Sequence, residues 1–373
     1  ALLCAFIVMK CECFSCITDL VDYLNNNLII AHYCGFNIMK PLPSYWTFDR
    51  FIRKLDNDLL KKLMQSQVLK LAEIGVIDTS FIALDSTPVS ANTHQNNSKS
   101  FAKNKFSKNN QPKSDKDCGL GVHTASNQHN ERKFEYYWGY KNHILVDCIT
   151  GLPIYELTTT ADVADSTVTL DILSQTNSFL SVDECTFLAD KGYDVKAVYN
   201  TVKELYRGEC VIPLNKRNTK NPKKLASGLP VCEAGLAMHK DGKFTDNGRT
   251  RQKYCCPFKR SKSGVCPCNH KNWNNGRKCR GCTKYVTLPD DYRLSIDREC
   301  ISFKKLYALR TEAERYNSRF KQTGQERLWV HGFNAAQNLN SVAHIALLAV
   351  ALASVVTKSD RSYRCFKSVK RIA

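Results

Sequence analysis

Phe81-Ile-Ala-Leu-Asp85-Ser-Thr-Pro88 is a short apolar run that ends in an aspartate followed by turn-forming residues. Such a run reads as a buried strand, and the residues after it place Asp85 at the strand's end. The design recurs in Thr186-Phe-Leu-Ala-Asp190-Lys-Gly-Tyr-Asp194, where Gly192 breaks the chain just after Asp190. Between the two runs, Tyr140 to Asp147 and Leu152 to Leu157 read as strands joined by a turn at Thr150-Gly151, and Asp162 to Phe179 reads as a helix. Beyond Asp190, Val195 to Tyr206 reads as a helix and Glu209 to Pro213 as a strand. Each aspartate taken alone also suits a turn former or a helix cap.

A third carboxylate appears in Tyr307-Ala-Leu-Arg310-Thr-Glu-Ala-Glu314-Arg-Tyr-Asn-Ser-Arg-Phe-Lys321. At about 100° per residue, Tyr307, Arg310, Glu314 and Lys321 fall within about 60° of one another on one helix. One carboxylate is then framed by two cations and a phenol, an arrangement that suits a metal beside a phosphate and also suits a solvated, ion-paired face. Glu312 lies about 160° from Glu314 on that helix and reads as dispensable. Two strand-end aspartates and a helical glutamate make a sparse oxygen donor set of the kind that holds Mg²⁺ or Mn²⁺, with water and phosphate as the remaining ligands.

These residues resemble a DDE transposase of bacterial insertion sequences, in the insertion-sequence-four-type group that carries a Tyr-x2-Arg-x3-Glu-x6-Lys signature. Tyr307, Arg310, Glu314 and Lys321 match that signature at every spacing. Asp85 matches the family's first aspartate and Asp190, in its Ala-Asp-Lys-Gly-Tyr context, the second. The similarity extends from Pro43-Ser-Tyr-Trp-Thr-Phe-Asp-Arg-Phe51 through Trp138-Gly-Tyr-Lys-Asn-His143 to the C-terminal helix. It implies a ribonuclease-H-like α/β core, which the order of three strands, helix, strand, helix, strand also fits. It further implies catalytic metal ligands at Asp85, Asp190 and Glu314 and DNA contacts from Tyr307, Arg310 and Lys321. The implied partner is double-stranded DNA, as transposon ends and target, bound by a homodimer that synapses both ends.

Four segments follow. Residues 1–75 are helical, with Phe48, Phe51, Leu55, Leu59, Leu60 and Leu63 keeping a 3.6-residue period after the breaks at Pro41 and Pro43. This segment resembles the family's N-terminal end-binding domain, a packing bundle being the alternative; a chain that starts at Ala is expected to lack its own beginning. Residues 76–215 form the first part of the core, 216–300 a basic, cysteine-rich insertion, and 301–373 complete the core with the catalytic helix and a buried C-terminal helix. The polar tract from Asn92 to Glu135 has no apolar period and reads as a solvated surface insertion. Asp147 reads as a turn residue and His143 as a core histidine.

The 373 residues carry a net charge of +19 and are 43% hydrophobic. Residues 216–300 hold 20 Lys and Arg against 7 Asp and Glu, so most of the excess sits there. Interleaved Phe244, Tyr254, Phe258, Trp273 and Tyr285 suit a surface that touches both phosphates and bases. The 18 cysteines lack a secretory context, and Cys148 and Cys185 stand alone in apolar runs, which implies a reducing bacterial cytoplasm. Within the insertion, Cys266, Cys268, Cys279 and Cys282, or a subset with Cys255 or Cys256, have spacings that suit one structural Zn²⁺. The run Val342 to Val356 is shorter than the roughly 20 residues a bilayer span needs and contains His344 and Ser354, so it reads as a core helix with no membrane role.

The chemistry expected is phosphodiester cleavage and transfer by two Mg²⁺ ions roughly 3.5 to 4 Å apart, one activating the nucleophile and one stabilising the leaving oxygen. Arg310 grips phosphate oxygens bidentately and Lys321 acts as a point charge. Two other readings stay open on the sequence. One is a zinc-containing DNA-binding protein without catalysis, and the other is a metal-dependent nuclease on the same fold.

Overall fold

The β-branched and apolar run Ile144-Leu-Val146 after Tyr140 specifies a strand, and that strand pairs with three others in its sheet. A computed structural model describes residues 1–126, 132–215, 223–225, 229–246, 249–260, 282–288 and 292–357. The chain divides into two units, one made of Ala1–Leu188 with Leu309–Ala373 and the other of Ala189–Ala308.

The first unit begins with helices α1 (Leu2–Cys11), α2 (Ile17–Asn26), α3 (Leu28–Tyr33), α4 (Tyr45–Lys54) and α5 (Asn57–Glu73). Asp56 caps α5, its side chain accepting from the Asp58 amide. A mixed sheet follows, from β1 (Phe81–Ser90), β2 (Gly119–Ser126), β3 (Arg132–Asp147), β4 (Pro153–Thr160) and, after helix α6 (Asp165–Asn177), β5 (Thr186–Leu188). β3 pairs antiparallel with β1, β2 and β4, whereas β5 runs parallel to β1 over Phe81 to Ala83.

Three expectations are corrected here. β1 does not stop at Asp85 but continues through Pro88 to Ser90. Ser90 exchanges backbone bonds with Glu326 and Leu328 on the edge away from β3. Pro88, two residues earlier, faces that same edge, where β5 has already ended, so its missing N–H costs no ladder bond. The polar tract is not wholly a surface insertion either. Gly119–Ser126 forms β2 against Arg132–Gly139, where the aromatic side chains of β3 line the pairing. Thirdly, the helix expected over residues 307–321 is divided: one helix, Ile301–Ala308, ends at Ala308, and α10 (Thr311–Phe320) begins after Arg310. Between them Glu312 N bonds Leu309 O and Ala313 N bonds Arg310 O, so short i to i+3 bonds replace the α-helical ladder.

The last helix of the first unit, α11 (Phe333–Val356), is long and apolar enough to cross a membrane by composition, yet most of it is buried. Its polar residues explain its place. Asn338 donates to Ile52 O and Leu55 O, covering carbonyls at the end of α4, and Ser341 donates to Glu156 on β4 at 2.5 Å.

The second unit carries α7 (Lys196–Asn200), β6 (Glu209–Val211), β7 (His239–Asp246), β8 (Arg249–Cys255), β9 (Thr283–Leu288), α8 (Tyr292–Ser295) and α9 (Ile301–Ala308). β7, β8 and β9 form an antiparallel three-stranded sheet. One face packs Tyr254 and Val286 into a cluster with Cys232, Met238, Cys256 and Cys282. Buried Asp194 ties this unit's loops together, accepting from the Tyr199 hydroxyl at 3.0 Å and the Asn215 amide at 2.8 Å and pairing with Arg293 at 3.1 Å.

Candidate active site

Cross-strand partners share a face, so the register of β1, β3 and β4 sorts the polar residues into two groups. Asp85 stands opposite Ile144 and Thr87 opposite Asn142, while Glu156 and Thr158 follow on β4. This is the face covered by α10 and α11, as bonds from Asn317 to Asp85 and from Asn340 to Thr158 show. His143, opposite Ser86, belongs to the other face. There it is fully buried, with Nε2 2.9 Å from Thr159 Oγ1 and Nδ1 3.8 Å from Asp165, and burial pushes its pKa down to about 4. It is the core histidine its sequence context suggested.

On the first face, Arg310 joins two carboxylates from distant parts of the chain. Its guanidinium pairs closely with Glu314 one turn along and lies 4.0 Å from Asp85 Oδ2. The Arg310 side chain is 14% exposed and that of Glu314 53%, so the acids meet where a partly sunken floor opens to solvent. Lys321 follows α10 at the start of a π turn, half buried. The structure thus brings Asp85, Arg310 and Glu314 together within the first unit.

Asp190 and Tyr307 belong to the second unit. Asp190 caps a 3₁₀ turn over Lys191–Tyr193, accepting from the Gly192 amide at 2.7 Å, so locally it has the turn-forming role open to it from the sequence. Tyr307 stacks on Phe303 within α9, ring centres 6.1 Å apart.

One residue at this site escaped the sequence reading. Asn317 Nδ2 donates to Asp85 Oδ2 at 3.0 Å from a nearly buried position. The signal was available, since Asn317 lies three residues after Glu314 and seven after Arg310, on the same helix face. Glu312, by contrast, is not the idle side chain its angle implied. It is buried, pairs with Arg315 and borders the turn at Gly151, whose carbonyl accepts from Arg319 at 2.6 Å. At Glu312 the helix side opposite the site is packed against protein, while its partner Arg315 reaches into solvent. Asp147 is a turn residue as expected, accepting from Ile149 N at 2.8 Å and Thr150 Oγ1 at 2.5 Å.

Beneath the site runs a buried polar chain. Tyr316, next to Asn317, lies 2.5 Å from His344 Nδ1, and His344 Nε2 lies 2.9 Å from Asn142 Oδ1. Asn142 donates its amide to Glu156 at 2.7 Å, so its oxygen is left to accept, which puts the His344 proton on Nε2 and makes Nδ1 the acceptor from Tyr316. Burial pushes His344 down to about 3, so the imidazole is neutral at pH 7, and burial also raises the Glu156 carboxyl.

Among the described residues, no group of three or more His, Cys, Asp or Glu side chains is arranged to hold a metal. Cys266, Cys268 and Cys279 lie outside the described residues; Cys282 sits in the apolar cluster with Cys232 and Cys256. Of the aromatics read as a nucleic-acid surface, Tyr254 is buried and Phe258 packs against the cluster. Trp273 is outside the described residues. Phe244 and Tyr285 remain exposed and meet edge to face at 5.4 Å. Register puts them on one sheet face with Arg251 and Lys253.

The sequence profile of the transposase DDE domain matches residues 77–349. No curated protein sequence matches the chain. Among solved structures, the piggyBac transposase in a synaptic complex with hairpin DNA matches with 11% identity and a TM-score of 0.40, over 88% of this chain and 61% of that one. The Mos1 transposase matches as a paired-end complex with the left transposon end, with 13% identity, 52% and 57% coverage and a TM-score of 0.19. Its strand transfer complex matches with 13% identity, 52% and 56% coverage and the same TM-score. The chain therefore spans less than two thirds of each of these relatives.

Proposed function

The chain belongs to the transposase DDE-domain family, and from that premise we propose that it cuts DNA at the terminal repeats of an insertion sequence and joins the 3′ ends to target DNA. The observation that carries this reading is Arg310 drawn between Asp85 on β1 and Glu314 on α10. Two carboxylates that share one guanidinium mark a spot where positive charge is needed. All-oxygen donors fit a hard divalent ion, Mg²⁺ or Mn²⁺.

Asp190 is assigned as the third donor. Its Ala-Asp-Lys-Gly-Tyr context, that of the family's second aspartate, supports the assignment. When bound, the metal pair lowers the pKa of the attacking water or 3′-OH and stabilises the leaving oxygen. Arg310, displaced from the carboxylates, is then available to grip phosphate oxygens in a bidentate way, with Lys321 adding a point charge and Tyr307 packing at the DNA end. The Tyr-x2-Arg-x3-Glu-x6-Lys register supports membership of the insertion-sequence-four-type group. The basic face of β7–β9, with Phe244 and Tyr285, is assigned to DNA backbone and base contact, and two copies of the chain would hold the two ends.

Alanine at Asp85, Asp190 or Glu314 tests the assignment. Each variant should lose Mg²⁺-dependent cleavage of DNA carrying the sequences that flank the gene, while binding that DNA with wild-type affinity. Cleavage retained in one variant removes that residue from the site. Binding without cleavage in the wild type would favour a non-catalytic DNA-binding protein, and cleavage without joining a nuclease.

A further inference from the structure

Asn317 presents two facts that a packing role does not explain. Its Nδ2 donates to Asp85 Oδ2 at 3.0 Å. Its Oδ1 is enclosed by protein and has no hydrogen-bond partner. Buried side-chain acceptors are rarely left unpaired, and an apolar residue of the same size would fill the space without that penalty. The amide cannot simply be turned over, because its oxygen would then face the carboxylate oxygen of Asp85. The Asp85 contact therefore dictates the amide's orientation.

We propose that Asn317 is a positioning residue for Asp85; the inference rests on the reading of Asp85 and Glu314 as metal-holding acids. Its N–H group occupies Oδ2 on the side where Arg310 approaches, which fixes the plane in which the Asp85 carboxylate meets the cation. The unpaired amide oxygen is then the acceptor for a water or hydroxyl that enters with cation and DNA. This is how a neighbour that ligates nothing tunes a metal site: it orients the ligand, and its loss weakens binding by about 10 to 100-fold.

Mn²⁺ binding to the full chain without DNA, followed by calorimetry and by the electron paramagnetic resonance signal of free Mn²⁺, tests the proposal. Asn317→Ala should weaken the Asp85-dependent Mn²⁺ site at least about tenfold, with the metal-free unfolding temperature close to wild type. Asn317→Asp keeps the shape but sets a carboxylate against Asp85, and should weaken the site as well. Wild-type Mn²⁺ affinity in Asn317→Ala overturns the proposal while leaving the metal site in place. Tighter binding in Asn317→Asp also overturns it, by making the position a ligand. Losses of affinity that only track a fall in unfolding temperature in both variants assign Asn317 to packing. Mn²⁺ binding in the wild type that Asp85→Ala does not diminish overturns the metal-site reading itself, and this inference with it.

Discussion

His344 shows how tightly the residues under the site are specified. It accepts from Tyr316 and donates to Asn142, whose amide is committed to Glu156, so each proton in the chain has one place. Protonating Nδ1 would break the Tyr316 bond and bury a charge. A histidine ordinarily near 6.5 but held near 3 in the fold binds its proton more readily when unfolded. Its contribution is fully present above pH 6.5 and is lost as pH falls from there towards 3. The unfolding free energy should therefore drop by up to about 1.4 kcal/mol per pH unit below 6.5. Denaturant titrations from pH 7 to 4 check this, with His344→Gln expected to show the shallower dependence. Nothing in the sequence exposed this network, since a lone histidine in an apolar run looks the same whether its partners are present or absent. Asp85, Arg310 and Glu314 were legible because charge at fixed spacing is costly to place without a reason.

At the level of the elements, the sequence told the kind of structure better than its limits. The apolar runs identified β3 and β4, but β3 starts at Arg132 rather than Tyr140, because its first residues pair with β2 while Phe134 and Tyr136 stay exposed. Pro88 looked like a stop and is a strand residue, since only pairing decides whether a missing N–H matters. The break after Ala308 was likewise invisible, because Leu309 and Arg310 are ordinary helix formers. Glu312 is the clearest case. Its angle from Glu314 made it dispensable, yet it is buried against the β3–β4 turn and pairs with Arg315. Glu312→Ala should then cost stability on the order of 1–3 kcal/mol by stripping a buried polar contact. A thermal melt indistinguishable from wild type would return Glu312 to the surface.

Across the whole molecule, the charge excess read from the sequence falls in the second unit, and its three-stranded sheet divides that composition by face. Tyr254 and Val286 point into the cluster, whereas Phe244, Tyr285, Arg251 and Lys253 share the other side. Composition could not separate Tyr254 from Tyr285; only the period of two along a paired strand does so. If this face tracks the phosphate backbone, replacing Arg251 and Lys253 with alanine should reduce the slope of log affinity against log salt by up to about 0.9 for each lost contact. An unchanged slope would show that the sheet does not meet duplex DNA.

The acids gathered at Arg310 are assigned the transposition chemistry. Its most direct measurement is sequencing of the products formed when purified wild-type chain, Mg²⁺ and a target plasmid are mixed with DNA carrying both flanks of its own gene. Cuts at the terminal repeats and 3′ ends covalently joined to the plasmid are expected, both abolished by Glu314→Ala. Bound but uncut DNA, or cuts and joins that persist in Glu314→Ala, would contradict the assignment.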